Sequence, residues 1–338
     1  MRTARNLSTS NSEDNNKKYW TAGYFVLSAI FLALVISMFL FLTALLQTPG
    51  SAVERKRAME QRPANSIDTL IIGNSHAYCT FDPAVMEQTN GEKVFNAGMP
   101  DQKIDIMYYN LLETLKTQKP GTIIMEGFAF GRSDSVYQGY IADMDAMDPG
   151  FNKLKACFEI YPDKYDAVRM FISLYRSHNN WKKPTIIKDN LKYMLGMDKP
   201  DKDFSGFYPL DSRMSDATLQ KYKDAESIKF APVIDDYTTD YFRRVVKLCH
   251  DRGIRLVVSM APFNDVYQKK VNYPAFNQKL AELCKSEDVE LVDFNMLYKQ
   301  VGIEYGDFED AFHHAQHLNK WGAEKVSKYM AEYLLGQK

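Results

Sequence analysis

Apolar and polar positions divide the chain into two unlike parts. No charged residue occurs between Lys18 and Glu54, and inside that gap Tyr24–Leu46 reads YFVLSAIFLALVISMFLFLTALL. At helical rise this run covers about 34 Å, enough to cross a hydrocarbon core of about 30 Å. Trp20 and Tyr24 stand where interfacial aromatics belong. The run exceeds the apolar region of a secretory signal peptide and ends without a small-x-small cleavage pattern, so it reads as an uncleaved anchor. This predicts a tail over 1–19, a transmembrane helix over 20–46, a charged stalk over 47–65 and a domain over 66–338.

Within that domain five short apolar runs have strand character: Ile67–Ile72, Lys93–Asn96, Thr122–Met125, Ile254–Met260 and Val289–Phe294. Between them Asp105–Lys116 and Asp240–Cys249 carry apolar residues at i, i+3, i+4 spacing, the mark of an amphipathic helix. Strands alternating with helices predict an α/β fold, a parallel sheet covered on both faces. The alternation stops between about 131 and 227. This insertion, rich in Tyr, Asp and Lys, reads as helices and loops, with YRSHNNW at Tyr175–Trp181 and GFY at Gly206–Tyr208. It is either a lid or substrate wall, or a surface elaboration with its own small core.

Charge and cysteine change this picture little. The formal net charge is −1, which gives no electrostatic reason for a nucleic-acid partner. The four cysteines are far apart and form no C-x-x-C pair, hence neither a zinc ribbon nor a dense disulfide framework. Arg2, Arg5, Lys17 and Lys18 precede the span and Arg55, Lys56, Arg57 and Arg62 follow it, a near balance under the positive-inside rule. The reading adopted puts the tail in the cytoplasm and the domain outside, at the cell membrane.

Two motifs carry candidate chemistry. Gly73-Asn74-Ser75-His76 directly follows the first strand and precedes a helix near Pro83–Gln88. In parallel sheets ligands bind at the carboxyl ends of strands. A serine there is either a nucleophile beside helix N–H groups or simply a cap. His317-Leu318-Asn319-x-x-Gly322-Ala323 precedes a last helix, about Ala323–Leu335, and offers the base that a serine hydroxyl needs.

Taken in order, G-N-S-H-A after the first strand, N-A-G at Asn96–Gly98 after the second and H-L-N-x-x-G-A near the end resemble the blocks of the SGNH/GDSL hydrolase superfamily. The likeness runs from about Ile67 to Leu335. It is nearest to membrane-linked members such as the teichoic-acid D-alanyl-transfer proteins and the alginate O-acetyltransferases. It implies a flavodoxin-like three-layer α/β/α domain with a five-stranded parallel sheet, and acyl transfer or ester hydrolysis on an extracytoplasmic glycan or envelope polymer. The acyl group would be small, such as acetyl, with no cofactor. Ser75 would be the nucleophile and His317 the base, while the N–H groups of Ser75 and Gly98 would form the oxyanion hole, with Asn96 and His76 beside it. A polytopic membrane acyltransferase is an implied partner, alongside the bilayer and the polymer.

Two positions depart from the family pattern. The orienting acid usually stands three residues before the histidine; His314 is there, which leaves Asp310, Asp307 or a bare Ser–His dyad. Asp310-x-x-His313 has the same spacing, so His313, and with it His314, is an alternative base. The third block lacks its oxyanion asparagine and ends in Glu126-Gly127, and a carboxylate donates nothing unless protonated. These departures support a second reading, a catalytically degenerate domain that binds a glycan or a partner. The cluster His313-His314-x-x-His317 invites a zinc site, but adjacent histidines seldom face the same way and no H-E-x-x-H helix is present, so no metal is expected.

Overall fold

In the computed structural model, residues 10–130, 138–197, 204–224, 233–311 and 316–336 are described. His313 and His314 lie outside them. Contacts divide the chain into two units. The first is Met1–Thr48 with Leu174–Leu195, and the second is Pro49–Ser173 with Gly196–Lys338.

In the first unit one helix runs Ser10–Leu45. Its apolar stretch, Gly23–Leu45, has 23 residues and none of its most apolar window is buried, so it is a single helix fit to span a bilayer. Short helices over Leu174–Ser177, His178–Lys182 and Pro184–Met194 complete the unit.

The second unit is an α/β/α domain. Its strands are β1 (Thr69–Ile72), β2 (Val94–Asn96), β3 (Thr122–Glu126), β4 (Arg255–Met260) and β5 (Glu290–Asp293). All pair in parallel, in the order β2-β1-β3-β4-β5. All five fall within two residues of the apolar runs in the sequence. Leu70, Ile71, Ile123, Ile124, Val257 and Val258 are wholly buried, as expected of strands covered on both faces. Helices Ser75–Thr80 and Pro83–Asn90 pack against the last helix, Lys320–Gly336, while Ile104–Thr114 packs against Asp236–Asp251. The chain leaves β1 toward β2 and then reverses to β3. The carboxyl ends of β1 and β3 therefore flank the switch point where such sheets place their sites.

Two segments differ from their sequence reading. Ser51–Glu60, read from its charges as stalk, is a helix that buries Ala52, Val53, Arg55, Ala58 and Met59. Its apolar residues recur at helical spacing, and the buried Arg55 guanidinium lies 4.3 Å from the centre of the Tyr78 ring. Within the insertion, Met144, Ala156, Cys157, Tyr161, Ala167 and Met170 join the core of the second unit instead of forming a separate one. Further on, Phe204–Met214 is an extended strap. Asn96 N–H donates to Ser205 O at 2.8 Å, Tyr208 N–H to Tyr78 O at 2.9 Å and Met214 N–H to Phe308 O at 2.9 Å.

Candidate active site

Ser75 is the first residue of helix Ser75–Thr80, immediately after β1. Asn74 caps that helix, its side chain accepting from His76 N–H at 2.9 Å. The turn requires Gly73. Its φ is +150°, and a Cβ there would lie 2.6 Å from Glu126 Cβ on the neighbouring strand. The strand-to-helix change at Gly73-Asn74 thus sets Ser75 at the carboxyl end of β1.

His317 reaches the same place from the other end of the chain. Its Nε2 lies 2.9 Å from Ser75 Oγ, a hydrogen bond between residues 242 positions apart. The residues after it build the support. Leu318 bridges to Phe308. The buried Asn319 amide donates to Ser212 O, Gly306 O and Phe308 O at 2.9, 2.7 and 3.1 Å. Its Oδ1 accepts from Trp321 and Gly322 N–H at 3.2 and 3.1 Å, starting the last helix. A Cβ on Gly322 would stand 2.6 Å from Asp307 O, so this close contact needs glycine. H-L-N-x-x-G is therefore a bracket that fixes the imidazole.

The other expected site residues sit as follows. His76 is buried among Phe128, Phe263 and His317, with its ring centre 4.7 Å from that of His317. Burial, and secondarily the charge of His317, push its pKa well below the ordinary histidine value, so it is neutral. Asn96 is fully buried, donates to Ala77 O and Phe81 O at 2.9 Å each and accepts from Gly98 N–H at 3.1 Å. It clamps the Ser75 helix to the end of β2, and it engages the Gly98 N–H that the sequence reading gave to the oxyanion.

The two aspartates expected to orient His317 are engaged elsewhere. Asp310 Oδ1 accepts from Ser215 N–H and Oγ–H at 3.1 and 3.0 Å. Hydrogen bonds from Thr218 and Ser215 hold its carboxyl below the ordinary range. Asp307 Oδ2 accepts from Glu304 N–H at 2.8 Å and Lys325 Nζ at 2.7 Å. Among the described residues neither aspartate bonds to His317. Glu126 at the end of β3 is fully buried, with Oε1 accepting from Phe128 N–H at 3.1 Å. Burial raises its pKa to about 8, so at neutral pH it is mostly a carboxylic acid. Among the described residues no three His, Cys, Asp or Glu side chains are grouped to hold a metal.

A cavity of about 340 Å³ opens between helices Ser51–Glu60 and Ile104–Thr114, lined among others by Arg55, Met59, Phe95 and Met99. Ala97 and Met99 on its wall flank Gly98, but Ser75 and His317 do not line it. Sequence reading missed Arg55, whose place on the Ala52–Met59 helical stripe was its only signal.

No protein-family profile and no curated protein matches the chain. Solved structures to which it is similar include a protein assigned to the lipolytic G-D-S-L family from Desulfitobacterium hafniense. That one has 11% identity and a TM-score of 0.39, over 78% of this chain and 98% of that one. A GDSL-like lipase from Bacteroides thetaiotaomicron has 10% identity and a TM-score of 0.35, over 80% and 87%. A protein described as an acylhydrolase from Bacteroides fragilis has 10% identity and a TM-score of 0.36, over 82% and 92%.

Proposed function

We propose that the chain is a membrane-anchored, SGNH-type serine acyltransferase or ester hydrolase that moves a small acyl group on an extracytoplasmic glycan or envelope polymer. The observation that carries this is the 2.9 Å bond from His317 Nε2 to Ser75 Oγ at the switch point of a parallel sheet. Ser75 Oγ attacks the acyl carbonyl while His317 Nε2 takes its proton. The tetrahedral oxyanion faces Ser75 N–H at the helix start, and Gly98 N–H, held by Asn96, must be shared to contribute. Collapse breaks the ester bond, the leaving alcohol takes the proton from His317, and acyl-Ser75 remains. Water, or a sugar hydroxyl deprotonated by His317, then attacks and frees the serine. The tether supports a substrate at the membrane surface, and a polytopic acyltransferase supplying the acyl group fits the same scheme.

A second reading, a non-catalytic glycan- or partner-binding domain, draws support from the other commitments of Asp310, Asp307 and Gly98 N–H. A fluorophosphonate separates the two, because only an activated serine reacts. We expect labelling of the parent, none of Ser75→Ala, and a rate lowered by roughly three powers of ten or more in His317→Ala. Parent protein that stays unlabelled, or is labelled equally after Ser75→Ala, leaves the binding reading standing.

A further inference from the structure

The segment Leu174–Leu195 lies far from the membrane helix in sequence but belongs to the same unit. Two buried asparagines join them. Asn190 Nδ2 donates to Leu45 O and Gln47 O, each at 2.9 Å. Asn180 Nδ2 donates to Leu46 O at 3.1 Å and Thr48 Oγ at 3.0 Å. A helix leaves its last carbonyls without intrahelical partners, and lipid supplies no donors. These amides supply them at the end of the apolar stretch Gly23–Leu45. The segment is therefore joined to the very end of the stretch that is long and apolar enough to cross a bilayer.

Its outward side chains suit that position. Trp181 is 62% exposed and Leu195 64%, with Tyr175, Leu191 and Met194 also exposed. Interleaved with them are Arg176, Lys182, Lys183, Lys188 and Lys192 against the single acid Asp189. None of the four lysines has a carboxylate partner among the described residues, and Lys182 lies 5.5 Å from the centre of the Trp181 ring. Exposed aromatic and aliphatic groups among lysines without carboxylate partners are the composition of an element lying in an anionic membrane interface.

We propose that Leu174–Leu195 is a lipid-binding collar. It grips the end of the membrane helix through Asn180 and Asn190, seats Trp181 among the headgroups and meets anionic lipid through its lysines. The occupant is lipid rather than a protein partner, because the surface is continuous with the end of the span and its excess charge is complementary to acidic headgroups.

The test uses the full chain in lipid nanodiscs, whose two faces are both open to solution. In W20F/W321F, Trp181 is the only tryptophan. We expect its emission to be quenched strongly by lipids brominated high on the acyl chain and shielded from aqueous iodide. Quenching should rise when a quarter of the phosphatidylcholine is replaced by phosphatidylglycerol. Replacing the four lysines by glutamine should cancel that rise, each lysine contributing about fivefold to the lipid preference. Should the double variant misfold, W181C carrying a nitroxide gives the same depth, since the native cysteines are all buried. Iodide-accessible Trp181 without bromolipid quenching overturns the collar, and equal quenching with and without phosphatidylglycerol overturns its anionic preference. Incorporation of the chain into discs reports on the span separately.

Discussion

Glu126 ends β3 in a position wholly removed from water, which favours its neutral form. Burial sets its folded pKa at about 8, and Asp143, also fully buried, at about 8. An acid whose pKa rises on folding stabilises the fold in its protonated form. The favourable contribution is thus complete below the unfolded values near 4 and drains away as pH climbs toward about 8. Glu126→Gln keeps the shape and removes one of the two titrations. Urea melts from about pH 5 to pH 9 should therefore show a flatter stability–pH curve for the variant and a gain of roughly a few kcal/mol at the alkaline end. Superimposable curves would show that Glu126 does not titrate in this way. The same scale marks what a sequence tells about a site. Ser75 and His317 were legible because each stands in a block of residues whose spacing is tied to backbone demands: Gly73 to a positive φ, Asn319 to three carbonyls. Asp310 was legible only by its distance along the chain. Where its carboxylate turns depends on Ser215, and where its backbone lies on Ser212, both far from it in sequence.

Elements were legible in proportion to how far their burial follows a simple period. The five strands of a sheet covered on both faces read as unbroken apolar runs, and all were found. Helix Ser51–Glu60 was hidden because its buried stripe includes an arginine whose charge lies over a ring instead of beside a carboxylate. The strap over Phe204–Met214 was hidden because it has no period; backbone bonds hold it. Its tightest point is Gly206, with φ +92° and a hypothetical Cβ 1.8 Å from Asn96 O. Gly206→Ala must push the strap from β2, and we expect a loss of about 2–4 kcal/mol in thermal or urea unfolding. Gly91→Ala is the control, since Gly91 also has positive φ, +76°, but open space around it; it should cost only about 1 kcal/mol. Equal losses at the two sites would mean that the strap is not clamped there.

For the whole molecule the leading question is which side of the membrane the domain faces, because near-balanced flanking charges do not decide it. The proposed polymer substrate requires the outside. Protease added to intact cells should then digest the domain and leave only the membrane helix with its tail; protection until the cells are lysed would reverse the assignment and remove an extracytoplasmic polymer from consideration. Tethering also changes the hazards the domain meets. Anchored copies diffuse in two dimensions and meet more often than the same number free in solution. An unpaired rim of sheet is dangerous in that setting, because it invites a neighbour's strand to add on. β2 is such a rim, only three residues long. The Ser205 carbonyl occupies the Asn96 N–H there. By occupying that donor the strap blunts the rim against strand addition, an effect that would count on a crowded surface and go unnoticed in dilute assays of catalysis.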